Sequence, residues 1–144
     1  IAVIIECLTD NKNRTVSDLR HALTKHGGSL GTNGSVSHLF RKVGIMKLLN
    51  VTEDDLLEHM DFVDIEDFEM INTDCIIFTK PNELFNTKKY FESKTVEVAD
   101  EEIIMDALTT IEMSKDDEEQ ISDLSSKIEE LDDVQNVYMN ASLS

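Results

Sequence analysis

The apolar positions of this chain change period several times, and each change marks an element. Val3, Ile5 and Cys7 alternate with Ala2, Ile4 and Glu6, which predicts a strand with apolar residues on both faces. Thr9 to Arg14 reads as a polar loop. Val16, Leu19, Leu23 and His26 then share a helical face, with Thr15 as the expected cap and Asp18 in the capping-box position. Gly27-Gly28 ends that helix, because glycine takes the left-handed cap without strain. Asn33-Gly34 signals a turn. Val36, His38 and Phe40 alternate with Ser37 and Leu39, which predicts a strand over 35–41. Gly44 is read as a turn, with Ile45 to Leu49 as the returning hairpin strand.

Thr52 before Glu53-Asp54-Asp55 predicts a capped short helix whose acids complement the dipole of its first turn. Two strands are expected near 62–71 and 75–80, with Asn72-Thr73-Asp74 as their turn. Pro81 suits a helix start, and Leu84, Lys88 and Phe91 share a face down to about Glu92. One or two strands are expected from Thr95 to Met113, broken near Ala99-Asp100. Ser114 and Asp117 form another capping pair, followed by the stripe Ile121, Leu124, Ile128 and Leu131. Asn136 to Asn140 predicts a closing strand. The first four elements and the last two spell β-α-β-β-α-β. The expected class is α+β, with two ferredoxin-like (split βαβ) domains. Residues 1–50 plus 106–144 would form one, and 51–105 the other, inserted in it.

With 144 residues, 40% of them apolar, the chain can bury a core for one domain or two small ones. No apolar run approaches the roughly 20 residues of a membrane helix. The run Ile1 to Ile5 is short, lacks a basic flank and meets Glu6, so no signal peptide is expected. A chain opening at Ile1 without Met reads as a fragment of a longer protein. Cys7 and Cys75 have no partner pattern and fall in apolar runs, so two buried free thiols are expected.

Charge changes the picture. Residues 1–50 hold seven Lys/Arg against three Asp/Glu, a balance of +4. Residues 51–144 hold six against 27, a balance of −21. The first half offers Lys12, Arg14, Arg20, Lys25, Arg41 and Lys42 as a candidate nucleic-acid footprint, helped by glycine-rich loops with free backbone N–H groups. Arg20 and Lys25 lie about 140° apart around a helix, so they form no tight stripe. No Phe, Tyr or Trp precedes Phe40, which argues against a single-strand stacking platform there. The alternative for the whole set is a solvated surface that balances the acidic half.

Catalytic and metal signatures are absent. His21, His26, His38 and His59 have no ligand spacing. The acidic runs lack the glycine of a calcium loop and read as solvated helix faces. No nucleophile elbow, phosphate loop or dinucleotide fingerprint occurs. No catalytic residue, metal or cofactor is therefore expected.

Four segments carry a resemblance. They are Ile5 to Thr15, Gly27 to Val36, Phe40 to Ile45 and Leu131 to Asn140. In this order they resemble the YebC family of gene-expression regulators, which includes the mitochondrial translational activator of cytochrome c oxidase. Val43, standing between Lys42 and Gly44, departs from the family's basic turn. The resemblance implies an intracellular protein, of the bacterial cytoplasm or the mitochondrial matrix. It implies a Lys/Arg-rich helical N-terminal domain ahead of the two α+β domains held here. It also implies no enzyme, but transcription regulation by DNA binding or translation regulation by association with rRNA and the ribosome. No membrane and no small-molecule substrate is expected, and the acidic insert is expected to serve another protein contact or solubility. The competing readings are a small-molecule-sensing regulatory module and a protein-interaction scaffold.

Overall fold

A computed structural model describes residues 1–142. The elements run β1 (Val3–Cys7), α1 (Lys12–Lys25), β2 (Phe40–Leu48), α2 (Glu53–His59), β3 (Asp67–Ile71), β4 (Asp74–Thr79), α3 (Leu84–Ser93), β5 (Val98–Ala107), β6 (Ile111–Glu112), α4 (Lys115–Glu129), β7 (Val134–Met139) and β8 (Ala141–Ser142). The fold is α+β. The chain divides into two compact units, one of Ile1–Arg41 with the residues from Asp106 onward, the other of Lys42–Met105.

In the first unit β1 and β7 pair antiparallel, Val3 opposite Met139 and Ile5 opposite Val137, with a bulge between Glu6 and Cys7. Helices α1 and α4 pack on each other. Leu19 and Leu23 of α1 meet Leu124 and Ile128 of α4, with Ile5, Val137 and Leu131 against them. The helical stripe read from the sequence of α4 is thus its buried face. Ser114 accepts the N–H of Asp117 and starts that helix as expected. Asn140 ties the unit's ends: its side chain accepts from the N–H of Ala2 at 2.8 Å, and its carbonyl accepts from Ile111 at 2.8 Å. Beyond it β8 runs parallel to β6.

The second unit reads β2-α2-β3-β4-α3-β5 and its sheet has the order β3-β4-β2-β5, a complete split βαβ arrangement. Met46, Leu48, Leu56, Ile77, Leu84 and Phe91 form its core. Thr52 and Asp55 close a reciprocal capping box on α2. Asn72 makes the β3-β4 turn at φ +55°.

Several expectations are corrected. The hairpin over 35–49 does not form. Ser37–Leu39 is a turn of 3-10 helix, and β2 runs unbroken through Gly44. Gly44 serves close approach rather than a turn, since a Cβ there would meet Thr79 Oγ1 at 2.7 Å and Leu84 Cβ at 3.0 Å. Ile45 to Leu48 pair with β4 and so belong to the second unit. The first unit boundary accordingly falls at 41/42, not 50/51. The strand β5 is likewise unbroken at Ala99-Asp100, where Asp100 takes φ +50° inside it. Cys75 is buried, but Cys7 is exposed at the bulged end of β1.

Candidate nucleic-acid interface

Lys12 and Arg14 lie in the first turn of α1, not in a loop. The helix starts earlier than expected because Asn11 caps it: the side-chain oxygen of Asn11 accepts from the N–H of Arg14 at 3.1 Å. Thr15, the expected cap, is buried inside the helix. A cation at a helix N-terminus opposes the macrodipole. Arg14 is offset by two carboxylates, Asp10 at 3.2 Å and Asp133 at 3.1 Å.

Asp133 is the centre of this region. Thr15 Oγ1 donates to its carboxylate at 2.6 Å and Thr9 Oγ1 at 3.0 Å. Arg14 Nη2 lies 3.1 Å from both of its oxygens. Its carbonyl accepts from the N–H of Leu8 at 2.8 Å. The Thr15 hydroxyl, then Arg14, hold the Asp133 carboxyl below the usual aspartate range. Arg14 is in turn held protonated by Asp133. A groove of about 360 Å³ opens here, lined by Arg14, Thr15, Asp18, Glu130, Asp132 and Asp133. With Leu131 and Val134 completing the lining, it holds four carboxylates against one cation. The arrangement suits joining β1, α1 and the α4-β7 turn rather than holding phosphate.

The other predicted positions remain on the surface. Lys12, Arg20 and Lys25 are exposed on α1, and none forms a salt bridge with another described residue. Arg14 and Lys25 lie about 20° apart around the helix but about 16 Å apart along it, and Arg20 points elsewhere. Arg41 and Lys42 are exposed on β2, one in each unit.

Folding also rearranges the charge. The first unit carries seven Lys/Arg against fourteen Asp/Glu, a balance of −7. The second carries six against sixteen, a balance of −10. The basic block and the acidic block along the chain are therefore not two surfaces. Helix α4, with Asp116, Asp117 and Glu118 in its first turn, packs beside α1.

The sequence profile described as "TACO1/YebC second and third domain" matches residues 1–141. The chain belongs to the TACO1/YebC family. It is 40% identical to a "Probable transcriptional regulatory protein" of Pseudomonas putida, across 100% of this chain and 59% of that protein. A protein of the same description from Francisella tularensis is 39% identical over the same shares. A crystal structure of a conserved hypothetical protein from Aquifex aeolicus matches 98% of this chain and 59% of its own, with TM-score 0.83 and 37% identity. The chain thus spans about three-fifths of the length of these relatives.

In this TACO1/YebC chain, the segments Ile5 to Thr15 and Leu131 to Asn140 meet at Asp133, which sequence reasoning passed over. Its signal in the sequence is the Leu131-Asp132-Asp133 run just past the end of α4. Among the described residues no group of three or more His, Cys, Asp or Glu is placed to hold a metal. Burial pushes the Cys75 thiol up to about 11, and partial burial followed by Asp133 raises that of Cys7. No helix among the described residues is long and apolar enough to cross a membrane.

Proposed function

We propose that this chain is part of a non-enzymatic regulator of gene expression that acts inside the cell by binding DNA, rRNA or the ribosome. Lys12, Arg20 and Lys25, with Arg41 and Lys42, are its contacts to phosphate in the first unit and at the start of the second. Arg14 is reassigned to holding the fold. The observation that carries the reading is the family match over residues 1–141, together with relatives described as probable transcriptional regulatory proteins. The exposed, unpaired state of Lys12, Arg20 and Lys25 supports the choice of contacts. With balances of −7 and −10, the two units bind polyanions weakly by themselves, and most of the affinity comes from sequence outside them.

The test compares full-length protein with its Lys12→Ala/Arg20→Ala/Lys25→Ala variant. Ribosome cosedimentation and DNA gel shift are run at matched salt. The variant should bind more weakly, and its slope of log affinity against log salt should shrink by about 0.7–0.9 per lost contact. A variant that folds and keeps both affinity and slope overturns the assignment.

A further inference from the structure

The stacking surface that residues 1–40 lack is present in the second unit. Phe62, just after α2, lies parallel to Tyr90 of α3, with ring centroids 6.3 Å apart and planes at 16°. Phe62 is 72% exposed, so its outer face is open. Tyr90 is held from behind: its hydroxyl meets His59 Nδ1 at 2.8 Å and its ring packs edge-on to Phe91. Lys94 Nζ sits 5.7 Å from the Tyr90 ring centre. On a different face of α3, about 140° around from Tyr90, Lys89 Nζ sits 4.9 Å from the ring of Phe85, which is 67% exposed.

Lysines are concentrated along this stretch of sequence. Of the six bases in this unit, Lys80, Lys88, Lys89 and Lys94 lie within fifteen residues of sequence. Lys80 is paired with Asp64, and Lys88 with Glu92 and Glu101. Lys89 and Lys94 have no carboxylate partner among the described residues, and both rest on aromatic rings. We propose that Phe62 and Tyr90, with Lys94, form a binding site for single-stranded nucleic acid. An unpaired base extends the Tyr90-Phe62 stack on the open face of Phe62, and the Lys94 ammonium group reaches a neighbouring phosphate. Glu58 and Asp61 lie on and just after α2, close to Phe62 in sequence. A duplex offers no free base to this stack, because its bases are already stacked on one another. The acids elsewhere in the unit act only within a screening length of about 8 Å. The site therefore takes a short single-stranded stretch.

The inference rests on the nucleic-acid reading above, and the experiment separates the two. Full-length protein is irradiated with a single-stranded oligouridylate of about ten nucleotides carrying one 5-iodouridine, and the crosslinked peptides are mapped. Crosslinks should fall at Phe62 or Tyr90. Phe62→Ala should lower affinity for the oligonucleotide about tenfold, leave the melting curve unchanged and leave affinity for a duplex of the same length unchanged. The Lys12→Ala/Arg20→Ala/Lys25→Ala variant should keep these crosslinks. Crosslinks confined to other segments, or equal single-strand binding by Phe62→Ala, overturn this site and leave the general reading standing. A wild-type protein that takes up neither oligonucleotide, DNA nor ribosomes overturns both.

Discussion

Thr15 donates its hydroxyl hydrogen to the Asp133 carboxylate at 2.6 Å, across 118 positions of the chain. The bond fixes the first turn of α1 to the turn that follows α4. It also explains why Thr15 is buried, and why Asn11 rather than Thr15 caps the helix.

The Asp133 cluster should show in acid unfolding. Its folded-state carboxyl lies below the ordinary aspartate value, because the Thr15 hydroxyl and Arg14 favour the ionised form. The resulting stabilisation is fully present above the unfolded value of about 3.9 and is lost as pH falls through the lower folded value. Asp133→Asn should melt at lower temperature than wild type at pH 7. The gap should narrow as pH falls below about 4. Thermal melts across that range would show a constant gap if the carboxylate has no such role.

Arg14 and its neighbour Lys12 should behave differently. Lys12→Ala removes an exposed, unpaired side chain and should move stability by less than about 0.5 kcal/mol. Arg14→Ala leaves Asp10 and Asp133 without their cation and should clearly lower the urea midpoint. Equal midpoints for the two variants would mean that Arg14 is a surface charge like Lys12.

Leu124 is 7% exposed and packs with Leu19, Leu23 and Ile128. Leu124→Ala should cost about 2–5 kcal/mol in denaturant unfolding, from lost burial plus the cavity left behind. Asp123→Ala, next to it on the exposed side, should stay within about 0.5 kcal/mol. Small and equal effects would mean that α4 does not dock.

Gly44→Ala tests the unbroken strand. The added methyl would meet Thr79 Oγ1 and Leu84 at 2.7 and 3.0 Å, where β2 passes β4 and the start of α3. Overpacking of this kind costs about 1–3 kcal/mol in an unfolding titration. A glycine in an open turn would give little or no loss.

The two thiols should differ in access but share low reactivity. Cys75 is buried with its thiol near 11, and should resist iodoacetamide at pH 8 until the second unit unfolds. Cys7 is exposed but raised, and should react more slowly than a free cysteine. Rapid labelling of Cys75 in native protein, read by mass spectrometry, would contradict its burial.

The sequence by itself determined the elements whose signals are local. The α4 stripe and its Ser114 cap, the Thr52-Asp55 capping box and the Asn72 turn are decided by residues three or four apart, so they are readable in one window. So was the α+β class, and the TACO1/YebC resemblance that rests on four ordered segments. What only the tertiary structure decided depends on partners distant along the chain. Gly44 looks like a turn until Thr79 and Leu84 close on it, and that contact assigns Ile45 to Leu48 to the second unit. Arg14 looks like a phosphate contact until Asp133 binds it. The charge division along the chain vanishes because α4 folds back beside α1, bringing acids from one end onto bases from the other. The Phe62-Tyr90 stack joins residues 28 positions apart, a spacing with no helical or strand period to announce it. Hydrophobic and capping patterns encode local structure, whereas charge pairing and close packing act through space, and only the folded chain sets those distances.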